Sequence, residues 1–306
     1  MKRLLVLIVV LFVAVPLHSG QRKMIKRFNS ITKTWAAYPI VSIHDIQFAA
    51  PESLHVADSL QAARFQPDNS RWTLQASAHN LETVVVVAAV IAPYFTITYT
   101  QHGWTMLLRD TLHGSTPWNT VIARVGSTNS IPDTVQAASD GFQSVGRGDV
   151  IMMTARVEEF PEGSMNSTTQ IRPIRGINID IISSENYVFS PPAHILASDL
   201  YDGAYITSTP YHVDYSHGEP WEGSYVKLTN LTVTAIVNGS RGTWNMVDQF
   251  GNQISDYDAS FNFTFHSDET PPTIPDTSIT HFHLPPIGAT IDSIKGFITV
   301  ASGGEN

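Results

Sequence analysis

The chain has no cysteine among its 306 residues. That excludes disulfides, thiolate nucleophiles and cysteine metal ligands; a closed zinc site would need His and carboxylates only. Charge is scarce too. Asp, Glu, Lys and Arg make up 15% of the chain and hydrophobic residues 42%, a balance that fills cores and is unlike that of a disordered chain. Positive charge is the scarcer sign, with 18 Lys and Arg against 27 Asp and Glu. A chain this acidic is a poor general binder of phosphate backbones. Helical periodicity is nearly absent after residue 20, and no later run approaches the ~18 apolar residues of a membrane span. HExxH, GxSxG, P-loop and dinucleotide glycine motifs are all missing. Nuclease chemistry needs convergent acids with a metal, or His with basic groups near the phosphate, and no such set is visible. The expectation is a protein that is not an enzyme.

One long apolar run is present, at the start. Lys2 and Arg3 precede LLVLIVVLFVAV (4–15), and Pro16, Ser19 and Gly20 follow. This reads as a secretory signal peptide over 1–20, too short for a comfortable span; a retained N-terminal anchor is the alternative. Its removal takes the net charge from −9 to −11. The expected location is extracellular or cell-surface, with the periplasm in transit and no membrane span in the mature chain.

The rest of the chain is rich in strand-like runs. They include 41–48, 83–92, 104–110, 119–126, 149–160, 170–174, 224–237, 243–248, 259–266 and 290–300, full of Val, Ile, Thr and aromatics and separated by Gly, Pro, Asn, Asp and Ser. The expected fold class is all-β, with a short helix possible over 51–64. A repeat organises it. Gly103-Trp104-Thr105-Met106 has a counterpart in Gly242-Thr243-Trp244-Asn245-Met246, and Gly148 one in Gly288, each offset near 140. Each unit reads as five strands with a Gly-led fourth, which fits an OB-fold barrel. The domains expected are 21–40 as N-terminal linker, 41–180 as the first OB-fold-like domain, 181–200 as linker and 201–306 as the second. By the same spacing, the last strand of the second barrel falls near position 309, so that barrel is expected to lack it.

SIHDIQFA, ETVVVVAAVIAPYFTITYTQHGWTMLLRDTLHGSTPW, GDVIMMTARVEEF with TTQIRPI, and EPWEGSYVKLTNLTVTA with GTWNMVDQFGN resemble secreted bacterial OB-fold proteins. The resemblance covers roughly residues 41–300. It implies modules that accompany extracellular nucleases or belong to surface-sorted proteins. The function it implies is a non-catalytic binding or scaffold module whose partner is an extracellular protein or glycan. The alternative is single-stranded nucleic-acid binding by the first barrel, as accessory to a nuclease.

An OB face binding nucleic acid needs aromatics for stacking and cations for phosphates. Residues 84–176 hold six Arg, no Lys and seven acids; residues 200–306 hold three basic residues and twelve acids. Only the first unit suits a polyanion. Its candidate ligand-binding residues are Trp104, Arg109, Trp118, Arg124 and Arg156, with core Trp and solvated Arg as the competing reading. Trp104 and Arg109 are an odd number apart, so on one regular strand they face opposite sides. Asp248, Asp256 and Asp258 are weak calcium candidates, although an Asp-Gly turn explains the first equally well. His281 and His283 share one strand face, the minimum for a zinc pair. Arg147-Gly148-Asp149, the tripeptide of some adhesive proteins, reads as a turn entering a strand.

Overall fold

The computed structural model describes residues 22–64, 69–94, 104–111, 116–125, 136–164, 167–184, 187–200, 214–238, 243–256 and 285–299. The chain is mostly β, as its composition implies. A hairpin of β1 (Met24–Asn29) and β2 (Thr34–Pro39) comes first. Two helices follow, α1 (Ile43–Gln47) and α2 (Pro51–Arg64). Then come β3 (Thr83–Ala92), β4 (Trp104–Asp110), β5 (Thr120–Val125), β6 (Val150–Phe160), β7 (Thr168–Pro173) and β8 (Asp180–Ser183). After β9 (Ala193–His194) and the short helix α3 (Tyr215–Gly218), the chain forms β10 (Tyr225–Asn238), β11 (Thr243–Val247), β12 (Gln253–Asp256) and β13 (Thr290–Phe297).

The first sheet closes on itself. Its order is β3-β4-β5-β7-β6, and β3 also pairs with β6. All neighbours are antiparallel except β5 and β7, which run parallel. TVVVVAAVIA forms β3, whose β-branched and small residues are almost wholly buried. In β6, Ile151, Met153, Ala155 and Val157 point into the ring and are 0% exposed. A register shift in β3 between Val90 and Ala92 bends the strand around the closure.

The second sheet has the order β12-β11-β10-β13, with β9 alongside β10. It repeats the first in detail. Gly148 and Gly288 both take a left-handed conformation, φ 92° and 88°, which costs glycine nothing sterically. Gly148 N–H donates to Val90 O, and Gly288 N–H to Val233 O. Val90 N–H donates to Asp149 O, and Val233 N–H to Ala289 O. Met106 and Met246 are each 0% exposed, one in each core. Among the described residues β12, β13 and the two-residue β9 each pair with a single strand of this sheet. Residues 259–266, expected as a strand, lie outside the described residues.

One expectation is corrected. Residues 41–48 do not form a strand. Ser42 Oγ accepts from Asp45 N–H and caps a helix instead, and the spacing of Ile43 and Ile46 buries both at the barrel end, a helical rather than a two-residue period. Residues 21–40 are the stretch expected as the N-terminal linker. They contain the β1–β2 hairpin, which Arg27 anchors to the first sheet through Asp180 and the Asn178 carbonyl. The helix over 51–64 forms as α2. No helix among the described residues is long and apolar enough to cross a membrane.

Candidate anion-binding face

The outer surface of the first ring carries a row of arginines set by strand register. The parallel pairing that puts Ala123 beside Ile171 carries Arg124 to Arg172. Arg172 is the Cα partner of Arg156. Ala123, Ile171, Ala155 and Val157 fill the ring interior, so these three arginines alternate to the outside. Neighbouring strands are about 4.8 Å apart, and the row therefore spans β5, β7 and β6 as a short cationic line. Arg156 is exposed and the Arg172 side chain is 61% exposed. Arg172 pairs with Glu158 at 2.9 Å. Arg124 lies over the half-exposed ring of Phe160, 5.2 Å from its centre, a cation–π arrangement that leaves aromatic edge and guanidinium on one surface. Arg172 was missed from the sequence. The signal was there: TTQIRPI pairs with β6, and parity puts Arg172 on the side opposite Ile171.

The remaining candidates take other positions. Trp104 packs on the interior cluster, stacked on Phe142 at 6.4 Å and beside Tyr94. Arg109 points the other way, as its spacing from Trp104 requires. It is 1% exposed and shares the outward side of β4 with Leu107, which belongs to a small outer cluster that Phe189 and Phe297 pack against. Trp118 is part of the joint between the two halves. It has φ 66°, donates its N–H to Pro220 O, and packs on Phe48 and on the cluster of α2 and Tyr215. Of the five candidates, Arg109, Arg124 and Arg156 face outward, and only Arg124 and Arg156 lie in the arginine row.

Asp248 is a turn residue. Its Oδ1 accepts from Phe250 N–H and Asn252 N–H, and its Oδ2 from the Asn252 amide. Asp256 lies at the end of β12, and Asp258, His281 and His283 lie outside the described residues. Among the described residues no three His, Asp or Glu side chains are grouped to hold a metal ion. In the Arg147-Gly148-Asp149 tripeptide, Asp149 is 4% exposed and its Oδ2 accepts Gly146 N–H at 2.7 Å. Arg147 lies over the Phe189 ring. The tripeptide is a turn closed by its own aspartate.

Sequence reasoning also missed three buried carboxylates at the joint. Glu159, Glu219 and Glu222 are 3%, 3% and 2% exposed. Glu159 accepts from Ser77 N–H, Ser167 Oγ and Thr169 Oγ1. Glu222 reaches across from the other half and accepts Thr169 N–H. Burial pushes all three above the usual carboxylate range, and mutual repulsion adds to it for Glu219 and Glu222. Glu159, held by three donors, is the best placed to keep a charge. Gly223, with φ 70°, comes so close to the Thr120 carbonyl that a Cβ would stand 2.9 Å from it. No spacing rule connects 159 with 219 and 222, since only the docking of the two sheets brings them together.

No protein-family model matches the chain, and no curated protein matches it.

Proposed function

We propose that this chain is an exported, non-catalytic binding module of tandem OB-fold barrels, and that the first barrel takes single-stranded nucleic acid across the Arg124–Arg172–Arg156 row. The observation that carries the reading is that row: three arginines on adjacent strands, one of them, Arg124, over the exposed Phe160 ring. Phosphate oxygens suit the guanidinium fork, and bases suit an aromatic edge. The OB-fold reading is supported by the strand order of the closed ring and its single parallel pair, with the second sheet repeating the first four strands. Export follows from the residue 1–20 pattern, and the nucleic-acid role is that of an accessory to a nuclease carried elsewhere.

The test is fluorescence anisotropy with a labelled oligothymidylate, titrated between low and moderate salt. Binding is expected with a log–log salt slope of about −2, roughly −0.7 for each phosphate neutralised. The double variant Arg156→Ala/Arg172→Ala should flatten the slope by about 1.4 units. No anisotropy change at low salt rejects the reading.

A second reading, an extracellular protein or glycan partner, is favoured by one observation on the β1–β2 hairpin. Phe28 and Trp35 face each other there with ring centres 5.3 Å apart, 40% and 68% exposed, and exposed aromatic pairs anchor interfaces and sugar rings. Ligand capture lost in Trp35→Ala but kept in the double arginine variant would favour it.

A further inference from the structure

Arg109 is the largest fully buried side chain among the described residues. Its Nε and both terminal nitrogens lack a hydrogen-bond partner. Burial holds its pKa below the ordinary guanidinium range, and the Tyr187 phenol opposes that. A guanidinium taken out of water without a partner is costly, and buried cations are retained where something pairs with them. Strand parity fixes where it points: Met106 and Leu108 fill the ring, while Leu107 and Arg109 face outward. Its cross-strand partners are small, Ala89 on β3 and Thr120 on β5.

The segment 187–191 has no regular secondary structure and forms a strap whose Phe189 packs against the outer cluster of Ile91, Ala92 and Leu107. Tyr187 N–H donates to Gly148 O at 3.1 Å. The Tyr187 and Phe189 rings meet edge to face at 5.1 Å, and Arg147 lies over Phe189 from the far side. Val188, between the two rings, is 89% exposed. The strap thus brings the Tyr187 phenol into electrostatic reach of a cation that has no hydrogen-bond partner.

We propose that Arg109 is the floor of a binding site for a small inorganic oxyanion of the phosphate or sulfate type, seated beneath the Tyr187–Phe189 strap. The planar fork presents parallel N–H donors that match two oxygens of such an ion, and the Tyr187 hydroxyl is a further donor on the strap side. Arg109 is 1% exposed, so the occupant is a small free ion and not a polymer, which has no path to it. The site is separate from the arginine row. Arg109 and Thr105, the partner of Arg124, are four residues apart on β4, about 13 Å along an extended strand.

The experiment is thermal unfolding of the full chain in sodium phosphate and in sodium chloride at matched ionic strength. Phosphate should raise Tm by roughly 4 °C once it is about 100-fold above its dissociation constant. Arg109→Met should be at least as stable as wild type in chloride and show no phosphate-dependent rise. Arg156→Ala/Arg172→Ala should keep the rise in full, which separates this site from the nucleic-acid face. Phosphorus NMR of phosphate with the wild-type chain gives a reading independent of any variant: line broadening that sulfate relieves is expected. No broadening, or an equal Tm rise in Arg109→Met, overturns the proposal.

Discussion

Arg156 and Arg172 stand directly opposite each other on the antiparallel strands β6 and β7, two cations on one exposed face. Like charges in that position oppose pairing, and Glu158, ion-paired to Arg172, offsets part of that in the immediate row. A fold under no other demand would place Thr or Glu at one of the two. Arg156→Thr is therefore expected to raise stability by about 0.2–1 kcal/mol at low salt. The gain should shrink as salt screens the pair, while oligonucleotide affinity falls. Urea unfolding at two salt concentrations reads the first effect. A variant less stable than wild type at both would show that Arg156 serves the fold.

Glu219 and Glu222 set the pH dependence. Each has its folded-state pKa raised by burial and by neighbouring carboxylates, so the folded chain binds more protons than the unfolded one. Stability is then greatest below the ordinary glutamate pKa and falls as pH rises through the higher folded value. Glu222→Gln keeps an oxygen for Thr169 N–H and cannot ionise. It should add at least about 1 kcal/mol at pH 8 and almost nothing at pH 4. Thermal unfolding across that range checks it; a variant with the wild-type pH profile would rule out Glu222 as the source.

The repeated glycine turn is the third test. At Gly288 a Cβ meets no atom within 4 Å, so only its φ of 88° resists substitution. Gly288→Ala should cost about 1–2 kcal/mol through the backbone alone. Gly296 also faces open space but has no left-handed φ, and Gly296→Ala in β13 should be neutral or stabilising by about 0.5–1 kcal/mol. Denaturant midpoints of the two variants, measured side by side, decide whether conformation or space is the constraint.

Asp248 provides the fourth. Its carboxylate takes two backbone N–H groups and one side-chain amide in the turn before β12. Asp248→Ala should lower stability by about 1–3 kcal/mol, since it leaves those donors short of an acceptor. The loss should be equal with calcium and with a chelator. A calcium-dependent difference in the wild-type chain would instead make the aspartate a ligand.

Composition and two-residue alternation were enough to mark the chain as mostly β and to place β3, β4, β6 and β10 within a residue or two, because β-branched strands carry their pattern in adjacent positions. The repeat was legible for the same reason: Gly148 and Gly288 are fixed by a local backbone need that only glycine meets without strain. The parity of Trp104 and Arg109 was legible as well. The helix at Ile43–Gln47 was misread because Val41 and Ile43 alternate as in a strand, and the single three-residue step to Ile46 carries little weight until Ser42 is seen capping the Asp45 N–H.

What the tertiary structure alone decided concerns pairs far apart in the chain. Register across three strands aligned Arg124, Arg172 and Arg156, docking of one sheet on another buried Glu159 with Glu222, and tertiary packing buried Arg109 without a hydrogen-bond partner. A sequence specifies which side of its own strand a residue faces. It does not specify, without the pairing, what stands beside that residue, and the free energy of a charge depends on its neighbours.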